Sequence, residues 1–263
     1  MDQKKALMER IRLFVLDLDG TVYLGDRLLP GAADFITTAK EKGRRVLFFT
    51  NNTSRSPMEY VERLTRMGIP VTRGDILTAG DVTVHYLKTC RPGKSVCLLG
   101  VPALRQSFLE AGIPLTEAQP DLVVVGFDKM LTYERLERAC TYLRRGAEFL
   151  ATHPDINCPT EADPIPDCGA ICAAITASTG LTPHALGKPA PETVALVESF
   201  SGLPREAIAF VGDRLYTDVA CGTKNGAIGI LVMTGETTPE MLSESSFTPD
   251  AVFPSLGAMA PLL

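Results

Sequence analysis

The feature that most restricts what this chain can fold into is a set of short, unbroken apolar runs separated by stretches of helical periodicity. LFVL at Leu13–Leu16, VLFF at 46–49, IAFV at 208–211 and IGILV at Ile228–Val232 contain no hydrogen-bonding side chain. A strand with one wet face alternates apolar and polar residues, whereas a strand covered on both faces does not. The segments 32–42, 58–67, 192–200 and 218–225 are periodic, and Gly43, Gly68, Gly202 and Gly226 stand where helix ends favour a left-handed residue. Strand and helix in alternation predict an α/β fold with a parallel sheet and right-handed crossovers.

The middle of the chain repeats the theme. Val96–Leu99, Leu122–Val125 and 149–151 read as strands, with helices near 101–111 and 133–145. With 263 residues there is room for two domains. The expected division is an α/β insert at 80–184 within a core made from 1–79 and 185–263. A Pro-containing irregular stretch at 153–167 interrupts the insert, and long irregular connections in compact domains usually carry function.

Composition removes whole classes of partner. Twenty-six basic and 31 acidic residues leave a net charge of −5. That balance argues against nucleic-acid binding, which rests on neutralising phosphates with Lys and Arg. No apolar stretch approaches the roughly 20 residues needed to span a bilayer, so no membrane partner is expected. The first dozen residues carry both signs of charge and no signal-type apolar region. Seven cysteines, an odd number, fit reduced thiols in a cytoplasm better than a disulfide framework.

Four groups of polar residues adjoin the apolar runs. Asp17-Leu18-Asp19-Gly20-Thr21 follows LFVL directly, and Thr50-Asn51-Asn52 follows VLFF. Gly187-Lys188-Pro189 comes late in the chain, and Gly212-Asp213 follows IAFV, with Asp218 five residues on. Each has an ordinary reading: an Asp-Gly turn, a helix cap, a surface lysine. Together they say more. Carboxylates at the end of a buried strand are costly unless paired or metal-bound. The carboxyl ends of parallel strands are also where open α/β sheets bind ligands. An oxygen set of this kind suits Mg²⁺, which takes few carboxylates and keeps several waters. Hydroxyl and amide groups such as Thr50, Asn51 and Asn52 can hold phosphate oxygens without adding charge. No dinucleotide fingerprint or Walker loop appears.

In their order and spacing, DLDGT, Thr50, Lys188 and GDRLYTD resemble the haloacid dehalogenase (HAD) superfamily of aspartate-nucleophile phosphohydrolases. LDLDGTVYLGDRLLPGA, FFTNNTSRSP and VGDRLYTD are similar to its NagD-like branch of nitrophenylphosphate, sugar-phosphate and cofactor-phosphate phosphatases. The resemblance implies a Rossmann-like parallel-sheet core with a large inserted α/β cap, and a cytoplasmic hydrolase of small phosphomonoesters. Asp17 would be the nucleophile and Asp19 the acid and then base. Gly20, Thr50, Asn51, Asn52 and Lys188 would hold the phosphoryl group. Asp17, the Asp19 carbonyl and Asp213 would bind Mg²⁺, with Asp218 in support, and Lys188 would keep Asp17 ionised. A phosphomutase or phosphotransferase using the same residues, or a receiver-like phospho-acceptor module, is the alternative.

Four further expectations concern the insert. The acidic residues Asp155, Glu161, Asp163 and Asp167 favour a neutral or amine-bearing leaving group. Cys158, Cys168 and Cys172 with His153 do not match a zinc spacing and read as free thiols. An exposed cap face is the place for a second copy of the chain to dock. His85 and His184 read as surface or packing residues.

Overall fold

The apolar runs become the centre of a six-stranded sheet in the computed structural model, which describes residues 2–160 and 163–263. From one edge to the other the sheet runs Ala251–Phe253, Ile228–Val232, Ile208–Gly212, Leu13–Leu16, Arg45–Thr50 and Ile76–Thr78. The four pairings from Ala251–Phe253 through to Arg45–Thr50 are parallel, with Leu13 opposite both Ile208 and Arg45. Every residue of Leu13–Leu16 is buried, as expected for a strand covered on both faces. Helix Ala32–Glu41 buries Phe35 and Ile36, and Phe35 meets Phe14 edge to face at 5.1 Å. Gly43, Gly68, Gly202 and Gly226 all have positive φ, so these positions need a residue without a Cβ penalty.

The chain divides into two compact units. One comprises Met1–Thr50, Val61–Leu77 and Lys188–Leu263, the other Asn51–Tyr60 and Thr78–Gly187. Compared with the expected insert at 80–184, the second unit also takes in residues 51–60. The Thr53 hydroxyl accepts the Phe127 N–H at 2.9 Å and lies 3.4 Å from the Thr152 hydroxyl, which binds this short segment to the second unit's sheet.

That second sheet has four parallel strands, in the order His184–Ala185, Glu148–Ala151, Leu122–Val125 and Val96–Leu99. Helices Tyr133–Arg144 and Cys168–Thr179 cover one face of it, burying Ala139, Leu143, Ile171 and Ile175 against Val123 and Val125.

One expected helix differs. Residues 218–225 do not form a continuous α-helix; Leu215–Val219 makes a wide π-type turn and only Ala220–Lys224 is α-helical. The turn brings the Asp218 carboxyl against Gly212, where an added Cβ would lie 2.1 Å from the carboxyl carbon. A widened turn of this kind often marks a functional site. Among the described residues, no helix is long and apolar enough to cross a membrane.

Candidate active site

Parallel strands carry their following residues to one end of the sheet, and the polar groups of the first unit collect there. Asp17 leaves Leu13–Leu16 with its N–H held by Val211 O at 2.9 Å. The next residues turn tightly, with Thr21, Val22 and Tyr23 all donating to Leu18 O. Gly20 occupies φ +86°, and a Cβ there would stand 2.6 Å from Asp213 Oδ2. Asp19 lies in this turn, with the Tyr23 hydroxyl donating to its Oδ2 at 3.4 Å. Thr50 ends its strand as a buried residue.

Lys188 enters the same place from the far side of the sequence. Its side chain is nearly fully buried, and Nζ lies 2.6 Å from Asp17 Oδ1 and 2.5 Å from Asp218 Oδ1. Nζ also donates to Phe49 O at 3.4 Å and stands 5.3 Å above the Phe49 ring. Burial works to strip Lys188 of its proton, but Asp17 and Asp218 outweigh it and hold the ammonium above its ordinary range.

The acidic side is crowded. Carboxylate oxygens of Asp17, Asp213 and Asp218 all lie within 4.8 Å of one another. Asp213 Oδ2 accepts the Glu236 N–H at 2.6 Å, while its buried Oδ1 has no hydrogen-bond partner among the described residues. Burial, with the Asp218 charge added, raises Asp213 to about 6.

Asp17 departs from expectation. Lys188 does lower its pKa, but burial pushes the carboxyl well above its usual range, and Asp218 and Asp213 push the same way. One ammonium among three carboxylates is too little positive charge to keep all three ionised out of water. A hard divalent cation would supply the rest. The all-oxygen donor set, the open Asp213 Oδ1 and the close spacing fit Mg²⁺ and do not fit a metal that wants sulfur or imidazole.

Asn51 and Asn52 belong to the second unit. The buried Asn51 amide donates to Asp155 Oδ1 at 3.1 Å and Oδ2 at 3.3 Å. Asn52 Oδ1 accepts the Ser54 N–H at 2.9 Å and its hydroxyl at 2.8 Å, a local Asx turn.

Sequence reasoning missed the segment after Ile228–Val232. Thr234 donates to Gly20 O at 2.6 Å, Thr237 donates to Asp213 O at 2.5 Å, and Glu236 N–H holds Asp213. The same strand-end logic pointed there, but TGET carries no Asp to mark it. A Cβ on Gly235 would lie 1.9 Å from Asp213 Oδ2. Gly235→Ala should therefore displace Asp213 and, if these carboxylates hold Mg²⁺, weaken its binding by roughly 10–100-fold in a calorimetric titration. Unchanged affinity would show that Asp213 is not a ligand.

Residues 14–114 match the haloacid dehalogenase-like hydrolase family, and residues 185–259 match a family described as HAD-hydrolase-like. An acid sugar phosphatase of Staphylococcus aureus is 34% identical over 250 residues, which is 95% of this chain and 96% of that protein. Among solved structures, a 4-nitrophenylphosphatase from Thermotoga maritima superposes with a TM-score of 0.93 at 49% identity, covering 97% of this chain and 98% of its own. NagD from E. coli K-12 superposes at 0.88 with 29% identity, covering 94% and 97%.

Proposed function

This chain belongs to the haloacid dehalogenase-like hydrolases, in the branch of NagD and the 4-nitrophenylphosphatases, and on that premise we propose that it is a Mg²⁺-dependent phosphatase of small phosphomonoesters. The observation that carries the reading is Lys188 bridging Asp17 and Asp218 beside the open oxygen of Asp213. Sugar phosphates and aryl phosphates, named for the relatives, are the substrates to try first.

In this reading an Asp17 oxygen attacks phosphorus, and the bond from phosphorus to the ester oxygen breaks. Asp19 gives its proton to the departing alkoxide, so an alcohol leaves and an aspartyl-phosphate remains. Asp19, now a carboxylate, takes a proton from water as that water attacks the phosphoryl group, which returns Asp17 and releases phosphate. Asp17, the Asp19 carbonyl and Asp213 would hold Mg²⁺, with Asp218 supporting them. The ion supplies positive charge against the repulsion between a carboxylate and a phosphate dianion. Lys188 supplies the same from the protein. The hydroxyl of Thr50 and the amides around Gly20 and Asn51 would hold the equatorial oxygens, with Asn52 fixing the turn behind them. We assign the chemistry to the first unit and the role of cap to the second. A cytoplasmic setting fits the seven free cysteines.

The four acidic residues expected to disfavour an anionic leaving group have different surroundings. Asp155 and Asp167 are buried beside His153, Asp163 is exposed, and Glu161 lies outside the described residues.

The test is release of 4-nitrophenol from its phosphate with and without Mg²⁺. Turnover should vanish with EDTA and return with Mg²⁺, and Asp19→Asn should lower it by roughly 10²–10⁴-fold. Full activity in EDTA would rule the metal out. Undiminished activity in Asp19→Asn would remove the acid–base assignment.

A further inference from the structure

Inside the second unit the ring of His153 is fully buried between two buried carboxylates. Nδ1 lies 3.6 Å from Asp155 Oδ2, and Nε2 lies 3.5 Å from Asp167 Oδ1. These are ion-pair distances, longer than hydrogen bonds. A neutral imidazole has one N–H, so one of the two contacts would set a lone pair against an acceptor. The carboxylates are already committed as acceptors. Asp155 receives the Asn51 amide on both oxygens, and Asp167 receives the Cys168 N–H at 2.6 Å as the cap of helix Cys168–Thr179. Accepting N–H bonds favours the ionised carboxyl. Two anions facing the two nitrogens call for a doubly protonated ring.

We propose that His153 stands as an imidazolium between Asp155 and Asp167, and that this buried row of charges positions Asn51, the residue that follows Thr50. The role at Asn51 rests on the phosphatase reading; the charge row does not.

The backbone keeps Asp155 from swinging away. The chain leaves for the hairpin of Asn157–Cys158 with Ile165–Pro166 just after His153 and returns at Asp167. Asp167 N–H donates to Ile156 O at 2.9 Å and Gly169 N–H to Asp155 O at 2.7 Å, which closes the neck of that loop. A Cβ on Gly169 would stand 2.2 Å from Pro154 O, so the neck is closed tightly. Asp155 is thus held by its backbone and by His153 while its oxygens hold Asn51.

Among the described residues, the titratable groups facing the ring are Asp155, Asp167 and the Cys168 thiol. Burial disfavours charge on His153, but these three outweigh it and raise His153 to about 9. Cys168 is brought down to about 7 against its own burial, by the Cys172 thiol and the charge on His153. A histidine that holds its proton to about 9 when folded and to 6.5 otherwise stabilises the fold fully below pH 6.5. That contribution disappears as pH rises through 9.

Three histidines make the direct measurement practical. In protein labelled with ¹³Cε1-histidine, His85→Gln and His184→Gln assign two of the three NMR signals and leave the third to His153. That signal should have the imidazolium shift at pH 7.5 and move only near pH 9, in wild type and without any turnover. A neutral shift at pH 7.5 would overturn the charge row.

The positioning role is read from kcat and KM for 4-nitrophenyl phosphate against pH, in wild type, His153→Gln and Asp155→Asn. Both variants should lose tenfold or more in kcat/KM at pH 7, and His153→Gln should lack the alkaline fall near pH 9 that wild type shows. Urea unfolding at pH 7 and pH 10 should differ less in His153→Gln than in wild type. Wild-type kinetics in Asp155→Asn would overturn the link to Asn51. If His153→Gln does not fold, the NMR shift and Asp155→Asn still decide. An imidazolium shift in a wild type that turns over no phosphomonoester would uphold the row and overturn both the phosphatase reading and the role at Asn51.

Discussion

Asp17→Asn is expected to reduce kcat by at least roughly 10⁴-fold while leaving the protein folded. The amide is nearly the size of the carboxyl and cannot form the phosphoryl bond of the proposed two-step hydrolysis. It also removes one anion from the three gathered within 4.8 Å. Because burial and its two acidic neighbours already raise the Asp17 carboxyl, the substitution should stabilise the metal-free fold or leave it unchanged. Steady-state turnover with saturating Mg²⁺, alongside urea unfolding without it, separates the two effects. A variant keeping a tenth of wild-type activity would end the aspartyl-phosphate mechanism, whatever the unfolding curve showed.

Lys188→Met should be damaging in a different way, losing both activity and stability. Nζ is the cation shared by Asp17 and Asp218, and nearly all of the side chain is buried. Removing one preorganised charge from the site should lower kcat by about 10²–10³-fold. Leaving the buried Asp218 and the partly buried Asp17 without their partner should cost up to about 3–5 kcal/mol of folding free energy in the absence of metal. Mg²⁺ should return part of the stability and little of the activity, because a cation held by the carboxylates replaces lost charge but not the ammonium's position. Equal stability of wild type and Lys188→Met without metal would show that Lys188 does not hold the two aspartates.

How much of this was legible in the chain depended on how local the signal was. Leu13–Leu16, Val96–Leu99, Leu122–Val125 and Ile228–Val232 are strands at the residues the apolar runs predict. A strand buried on both faces has no choice of side to conceal its pattern. The shortest strands at the sheet edges gave no such signal: Ile76–Thr78, Ala251–Phe253 and His184–Ala185 are two or three residues long. Helix Cys168–Thr179 was hidden for another reason. CGAICAAITAST is apolar nearly all round, and a stripe cannot be read where there is little polar face.

The motifs Asp17-Leu18-Asp19-Gly20-Thr21, Thr50, Lys188 and Asp213 by themselves determined the family, the α/β class and which residues to suspect. Their types and order are properties of the chain, and the ends of buried parallel strands must converge. What they could not determine was the balance of charge once the residues converged. Lys188 was expected to keep Asp17 ionised, but burial and the nearness of Asp213 and Asp218 outweigh it, and both depend on packing. The part played by Thr234, Gly235 and Glu236, and the inward turn of Asp155 and Asp167 onto His153, likewise arise only in three dimensions. Coulomb energy depends on distance and on how much water lies between charges. Neither quantity is written along a sequence; folding sets both.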